Sequence, residues 1–107
     1  MTKKLSEIHA DICKTLGNAK RIEILNALGD RELPVGELVS ILGISPANVS
    51  QHLSVMKQKG ILISKREGTN VYYKVANPKV ITACGLMREV LLEKLEEGQK
   101  IANKFKK

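Results

Sequence analysis

Apolar residues recur at spacings of three and four along much of the chain, which is the period of amphipathic helices. The first such stretch is residues 5–16, with a stripe made of Leu5, Ile8, Ile12 and Leu16. Gly17 interrupts it, and Asn18 is a residue type that caps a following helix. The next stretch is residues 19–28, with a predicted buried stripe of Ile22, Leu25 and Leu28 and with Ile24 on its flank. The pattern therefore predicts two consecutive helices at the start of the chain.

The next two predicted helices have the arrangement of a helix-turn-helix. Residues 35–42 form a short apolar segment that ends at Gly43. Ser45 stands at the N-cap of the following helix, and Pro46 at its first position, where the missing N–H costs nothing. That helix should extend over residues 46–59, burying Val49, Leu53 and Met56. Its outer face then carries short polar side chains, which suit contact with the base edges of DNA.

Two runs of β-branched and aromatic residues follow, at residues 61–65 and 71–75, with the turn sequence Glu67-Gly68-Thr69-Asn70 between them. This pattern predicts a two-stranded hairpin. A hairpin directly after a recognition helix is a wing, and its basic residues would contact phosphate. Residues 31–34, before the third helix, are a polar connector that can include a short extended piece.

Residues 78–103 predict one long helix. Its stripe alternates spacings of three and four and contains Val80, Cys84, Met87, Leu91 and Leu95, continuing to Phe105. That spacing is typical of a helix lying along a partner helix. A single domain of 107 residues buries a limited core. We therefore expect residues 1–107 to form one domain that dimerises through its first and last helices, at about 3–16 and 78–103.

The charge distribution favours a polyanionic partner. The net charge is +7, and because residues 1–53 carry equal numbers of acidic and basic side chains, the excess lies in residues 54–107. Residues 57–79 contain one acidic residue, Glu67, against six basic ones: Lys57, Lys59, Lys65, Arg66, Lys74 and Lys79. Aromatic residues are 3% of the chain and Trp is absent. Stacking on RNA or single strands is therefore not expected, and double-stranded DNA is the predicted partner.

Other classes of protein find little support in the sequence. No apolar segment is long enough to cross a bilayer, and the first seven residues lack the apolar run of a signal peptide. Two cysteines are too few for a disulfide framework. We expect a cytoplasmic protein without a membrane partner. No Ser/His/Asp set, phosphate loop or carboxylate pair is recognisable, so an enzyme is not expected.

Four segments, in this order, resemble the ArsR/SmtB family of winged-helix transcriptional repressors. They are Leu16-Gly17-Asn18-Ala19-Lys20-Arg21-Ile22-Glu23-Ile24-Leu25, Val35-Gly36-Glu37-Leu38, Val49-Ser50-Gln51-His52-Leu53 and Arg66-Glu67-Gly68-Thr69-Asn70-Val71-Tyr72-Tyr73. The resemblance extends over about residues 16–78. It implies a mainly α fold with a two-stranded β wing, in the order ααααββα, and a dimer formed by the first and last helices. A symmetric dimer would read an inverted-repeat operator.

The predicted DNA contacts divide between the recognition helix and the wing. Asn48, Ser50 and Gln51 are expected at base edges, since one amide can donate to and accept from adenine at once. The expected contacts to phosphate or to an adjacent minor groove are Ser54, Lys57, Lys65, Arg66, Thr69 and Asn70.

Some nearby side chains keep two interpretations. His52 either contacts phosphate or packs beside the wing. Lys20 and Arg21 are either ordinary surface charges or phosphate contacts. Tyr72 and Tyr73 face opposite sides of their strand, so one of them should be in the core.

The family resemblance implies release from DNA by metals, metalloids or thiol oxidation. The family's metalloid-binding Cys-x-Cys pair falls on Pro34 and Gly36, and its persulfide-sensing thiols fall near Asn26 and Leu92. Residues 78–107 contain no Asp or His for the zinc or cobalt site on the last helix. None of these sites is therefore expected.

Cys13 and Cys84 remain as the candidate sensor. One hypothesis is a redox or persulfide switch that joins the two thiols. Another is a soft metal or metalloid site, which His9 would complete as His9–Cys13–Cys84. In the alternative, both cysteines only pack, and the protein binds DNA without an inducer. A protein-interaction module that has lost DNA binding is the remaining possibility, against which the basic wing argues.

Overall fold

The computed structural model describes the backbone of residues 2–104 and the side chains of residues 4–104. The elements follow the order α1 (Thr2–Leu16), α2 (Ala19–Leu28), β1 (Leu33–Pro34), α3 (Val35–Leu42), α4 (Pro46–Gln58), β2 (Leu62–Glu67), β3 (Asn70–Val75) and α5 (Lys79–Lys104). Phe105, the end of the predicted stripe, lies outside the described residues. The predicted order of helices and wing is confirmed, with one short strand added.

Side-chain caps and glycines set the helix boundaries. The Asn18 side chain accepts from two backbone N–H groups in the first turn of α2, at 3.0 and 3.2 Å. Ser45 Oγ accepts from the backbone N–H of Asn48 at 3.2 Å and caps α4. Gly43 ends α3 with φ of 67°, a left-handed conformation that is easy only for glycine. Because these signals are local, α2 and α3 have the bounds that the sequence predicts.

The antiparallel sheet has the order β1-β3-β2, so the wing hairpin carries a third strand. β1 is formed by the connector before α3, with Leu33 opposite Tyr73 and Pro34 opposite Tyr72. The polar connector of the sequence is thus part of the sheet and leads directly into α3.

The tip of the wing is a two-residue loop. Glu67 of β2 lies opposite Asn70 of β3, so Gly68 and Thr69 make the turn. Gly68 has φ of 63°, as the first residue of a tight hairpin loop requires. Both strands therefore extend closer to the tip than the predicted runs, to Glu67 in β2 and from Asn70 in β3.

The buried apolar side chains form one cluster beneath α4 and the sheet. It consists of Ile24, Leu25, Leu28, Leu33, Leu38, Val49, Leu53, Met56, Ile61, Leu62 and Val75. The prediction for α2 was wrong in one respect: Ile24 is fully buried, whereas Ile22 is 40% exposed. α2 contacts α1, α3, α4 and β3 at once. This packing centres its buried face on Ile24 and Leu28, a spacing of four, and turns Ile22 outward.

α5 has no buried residue. Its first turns pack against the core through Val80, Ile81 and Cys84. Beyond them the helix exposes Leu86, Met87, Val90, Leu91, Leu92, Leu95 and Ile101. On α1, Leu5 and Ile8 are also exposed. In a single chain both predicted dimerisation helices therefore have uncovered apolar faces. Over the described residues, no helix combines the length and hydropathy needed to span a membrane.

Candidate nucleic-acid interface

α4 has one fully buried face and one exposed polar face. Val49, Leu53 and Met56 are fully buried and fix the helix on the core. The exposed residues include every position on α4 for which a DNA contact was predicted: Asn48, Ser50, Gln51, Ser54 and Lys57. Asn48, Ser50 and Gln51 lie in the first two turns, the part of a recognition helix that meets base edges in helix-turn-helix proteins.

The wing presents its basic residues on two different faces. Successive residues of a strand point to opposite sides of the sheet. Lys65, opposite Tyr72, and Arg66, opposite Val71, therefore project in opposite directions. Both side chains are exposed, as are Thr69 and Asn70 at the tip. All four predicted wing residues are thus accessible at the free end of the hairpin.

Two of the six basic residues in 57–79 are already paired with carboxylates. Lys65 Nζ lies 3.0 Å from Glu67 Oε1 on the same strand, and this hydrogen bond, with the charges of Glu67 and Glu32, raises the pKa of Lys65. Lys59 Nζ lies 2.8 Å from Asp11 Oδ2 on α1. Over the side chains described, the four that make no ion pair are Lys57, Arg66, Lys74 and Lys79.

His52 takes part in a polar contact inside the protein. Arg21 Nε donates to His52 Nδ1 at 3.2 Å, and Arg21 Nη1 donates to the backbone oxygen of Thr15 at 3.0 Å. Partial burial and the adjacent guanidinium charge hold the pKa of His52 below its ordinary value of 6.5. The imidazole is therefore neutral near pH 7 and accepts at Nδ1. Of the two interpretations of His52, the structure favours an internal position, with Arg21 of α2 as its partner in place of the wing.

The other undecided side chains also have definite surroundings. Lys20 pairs with Glu23 on the same helix at 3.2 Å, and both side chains are largely exposed. Tyr73 packs against the core. Tyr72 is half-buried on the other face of β3. Both tyrosines are thus half-buried, and the one that packs against the core is Tyr73.

Both thiols line a groove of about 520 Å³ between α1, α2 and α5. Cys13 is exposed, Cys84 is half-buried, and both are free thiols. The groove is otherwise mainly apolar, with Leu16, Ile22, Ile81, Met87 and Leu91 in its walls. The groove thus lies between the two predicted dimerisation helices, α1 and α5.

The predicted metal site is not assembled within one chain. His9 is exposed on α1, one turn before Cys13. Over the part of the chain that the structure describes, no group of three or more His, Cys, Asp or Glu side chains is arranged to hold a metal ion. His9, Cys13 and Cys84 therefore do not converge as a three-ligand set. Helical spacing placed His9 near Cys13, but the packing of α5 does not bring Cys84 to both.

Known proteins are similar to this chain in fold and in sequence. Residues 18–64 match the family model described as bacterial regulatory protein, arsR family. An uncharacterized HTH-type transcriptional regulator of Mycobacterium tuberculosis, Rv0081, is 34% identical over 94 residues, covering 87% of this chain and 82% of its own. The chain belongs to the arsR family. The transcriptional repressor PagR of Bacillus anthracis is 37% identical over 75 residues, covering 69% of this chain and 75% of its own.

The solved structures of relatives have the same architecture. The crystal structure of Rv0081 superposes with a TM-score of 0.79 at 34% identity, covering 87% of this chain and 94% of that one. The homodimeric winged helix-turn-helix DNA-binding domain of Mb0332 from Mycobacterium bovis gives a TM-score of 0.81 at 30% identity, covering 90% and 89%. The predicted arsR family and winged-helix fold are confirmed. This arsR-family protein is a transcriptional regulator and not an enzyme.

Two polar connections between elements were not predicted from the sequence. One is Arg21 with His52 and the Thr15 carbonyl, and the other is Lys59 with Asp11. Arg21 and His52 are 31 positions apart, and Asp11 and Lys59 are 48 positions apart. No local sequence pattern predicts contacts over such separations. In the sequence, the position of His52 directly before the apolar Leu53 was the one feature that favoured an internal position for its side chain.

Proposed function

We propose that this arsR-family protein is a cytoplasmic homodimer that binds double-stranded DNA sequence-specifically and represses transcription. One observation carries the proposal. α4 buries its apolar stripe completely and exposes short polar side chains and Lys57, beside a wing with free basic charge. This combination of a polar reading face and flanking cations is what major-groove recognition needs.

Each exposed residue has a role in this proposal. Asn48, Ser50 and Gln51 read base edges, and Ser54 and Lys57 contact phosphates further along α4. Near the tip of the wing, Arg66 supplies the basic charge for phosphate contact, because Lys65 is paired with Glu67 at 3.0 Å. Thr69 and Asn70 at the tip contact backbone or the adjacent minor groove.

The exposed apolar faces of α1 and α5 support a dimer of two whole chains. Seven large apolar side chains of α5 are exposed in one chain, more than a monomeric surface helix normally leaves in water. The Mb0332 domain is homodimeric. A two-fold dimer with one α4 in each of two successive major grooves would read an inverted repeat with half-sites about 34–36 Å apart.

Cys13 and Cys84 are the proposed sensor, because they line the same groove between α1 and α5. An organic disulfide or polysulfide would oxidise them: one thiolate attacks the donor's S–S bond and expels a thiolate. The second thiolate then displaces the remaining donor group, leaving a Cys13–Cys84 disulfide and two reduced donor fragments. The bridge needs Cα atoms within about 7 Å, so it would fix the spacing of α1 and α5 at this point of the dimer helices.

The test uses fluorescence anisotropy of a labelled duplex taken from immediately upstream of the protein's own gene. The reduced protein should bind it more tightly than a shuffled duplex. Binding should fall after sodium tetrasulfide or oxidised glutathione, return with a reductant, and persist in Cys13→Ser. Arsenite and zinc are separate additions, because a soft ion would need ligands beyond those that one chain assembles. Failure of the reduced protein to bind any duplex would exclude DNA recognition.

A second candidate function is an inducer-independent DNA-binding regulator. The observation that favours it is the packing of Cys84 against the core, where a free thiol behaves as a small apolar residue. In that case DNA affinity is the same before and after every addition, and the Cys13→Ser and Cys84→Ser proteins bind as the wild type does.

A further inference from the structure

Arg21 of α2 touches two other helices with its one guanidinium group. Nη1 donates to the Thr15 carbonyl in the last turn of α1, at 3.0 Å. Nε donates to His52 Nδ1 on α4, at 3.2 Å. Both acceptors lie within the protein, and Arg21 is itself half-buried. The guanidinium therefore joins a dimerisation helix to the recognition helix.

The position of His52 on α4 means that a contact with its side chain affects the orientation of the reading face. It lies between Gln51, proposed to read bases, and Leu53, which is fully buried. Successive residues of a helix are about 100° apart around its axis. A contact that fixes the His52 ring therefore fixes the rotation of α4, and with it the direction in which Asn48 and Gln51 point.

The chemistry of the contact requires arginine. The planar guanidinium offers several N–H donors in fixed directions, so it can satisfy two acceptors on different helices at once. A lysine ammonium in the same place keeps the charge but not this geometry. The neutral imidazole completes the match, because only an unprotonated Nδ1 can accept from Nε.

A second contact connects the same two helices at another point. Lys59, the C-cap of α4, pairs with Asp11 of α1 at 2.8 Å. α1 is thus connected to α4 at two points. Arg21 makes the connection near the middle of α4, and Lys59 makes it at the C-terminal end of α4. Cys13 lies on α1 between the two points of attachment, Asp11 and Thr15.

We propose that Arg21 is a positioning residue for DNA recognition: it holds the recognition helix α4 against α1 at the rotation that specific binding needs. The inference rests on the proposed DNA-binding function and names how the reading face is oriented. It assigns to Arg21 no contact with DNA. Movement of α1 within the dimer reaches α4 through this side chain.

The test compares Arg21→Gln and Arg21→Lys with the control Lys20→Gln. Arg21→Gln and Lys20→Gln remove the same charge from neighbouring residues, but the ion pair of Lys20 is with Glu23 on its own helix. Both Arg21 variants should lose about tenfold in affinity for the upstream duplex, the cost of a hydrogen bond to a charged group. Their affinity for a shuffled duplex, and the dependence of log K on log salt, should stay at the wild-type values. Lys20→Gln should retain specific binding.

A direct phosphate contact gives the opposite pattern. It would weaken specific and shuffled duplexes alike, lower the salt slope by about one contact, and survive in Arg21→Lys. That result would overturn the inference, as would wild-type specific affinity in both Arg21 variants. Absence of duplex binding by the wild type is a different outcome, because it removes the proposed function itself.

His52→Leu tests the same contact from the other side, so the conclusion does not depend on the folding of the Arg21 variants alone. It removes the acceptor, so it should reproduce the loss seen in Arg21→Lys, and the double variant should be no weaker than either single one. Additive losses would mean that the two side chains act separately, against the proposal. Circular dichroism on each variant separates lost positioning from lost folding.

Discussion

Lys65 and Glu67 lie two residues apart on one face of strand β2, and their side chains form an ion pair of 3.0 Å near the tip of the wing. The two side chains are 63% and 56% exposed. An ion pair so exposed adds little to stability. Its main consequence is electrostatic, since a carboxylate offsets one of the wing's three basic residues at the surface proposed to meet DNA.

Glu67→Gln should therefore strengthen DNA binding without changing the fold. We expect affinity to rise about two- to fivefold at low salt, and the dependence on salt to steepen by up to one phosphate contact. Anisotropy titrations at several salt concentrations measure both quantities. Glu93→Gln, on α5, changes the net charge equally. Equal gains in the two variants would trace the effect to net charge instead of Lys65.

Gln51→Ala and Lys57→Ala should have different effects although both residues are exposed on α4. Loss of Gln51 removes a proposed base contact, so binding to the upstream duplex should weaken by about 1–3 kcal/mol while shuffled DNA is unaffected. Loss of Lys57 should weaken both duplexes and reduce the salt slope by about one contact. Competition titrations measure the ratio of the affinities for the upstream and the shuffled duplex in each variant. A uniform loss in Gln51→Ala would contradict its assignment as a reading residue.

His52 should make folding stability depend on pH. Its pKa in the folded protein is lowered from 6.5 by partial burial and by Arg21, so the unfolded chain takes up a proton first as pH falls. The stabilising contribution is fully present above pH 6.5 and is lost as the pH falls through the folded-state pKa. Urea unfolding at about pH 7.5 and about pH 5 should show the loss in the wild type, and a smaller loss in His52→Gln. His9→Gln, the matched control, should leave that difference in place.

Leu95→Glu should disrupt the dimer while leaving the protomer folded. Leu95 is 70% exposed in one chain, so it contributes little to the core. A carboxylate buried in an apolar interface without a partner is costly. Sedimentation equilibrium should show a monomer, or a dimer weakened at least tenfold. Lys100→Glu, on the other side of α5, is the control; a stable dimer in Leu95→Glu would exclude this face as the interface.

The sequence predicted those parts of the fold that depend on local signals. Asn18 at an N-cap, Gly43 at a helix end and Pro46 at a first helical position each act within a few residues. The bounds of α2 and α3 and the exposed face of α4 followed from them. β1 is different: two residues cannot show a strand period, and Leu33 and Pro34 are extended because β3 is there to pair with them.

The site was predictable in its exposed residues and not in its internal contacts. Periodicity alone places Asn48, Gln51 and Lys57 on the outer side of α4. It does not reveal that Lys59, counted with the free basic residues, meets Asp11 from another helix. Ile22 was assigned to the core for a related reason: a spacing of three and a spacing of four both fit α2, and only the neighbouring elements decide between them.

The short strand β1 gives the wing a second attachment to the helix-turn-helix. β2 follows α4 through Gly60 and Ile61, while β1 pairs with β3 and continues directly into α3. With the first connection alone, the hairpin could turn about Gly60. With both, α3, α4 and the sheet form a closed ring of contacts. The two connections hold the tip of the wing beside the reading face of α4, so the wing follows α4 when that helix changes its position.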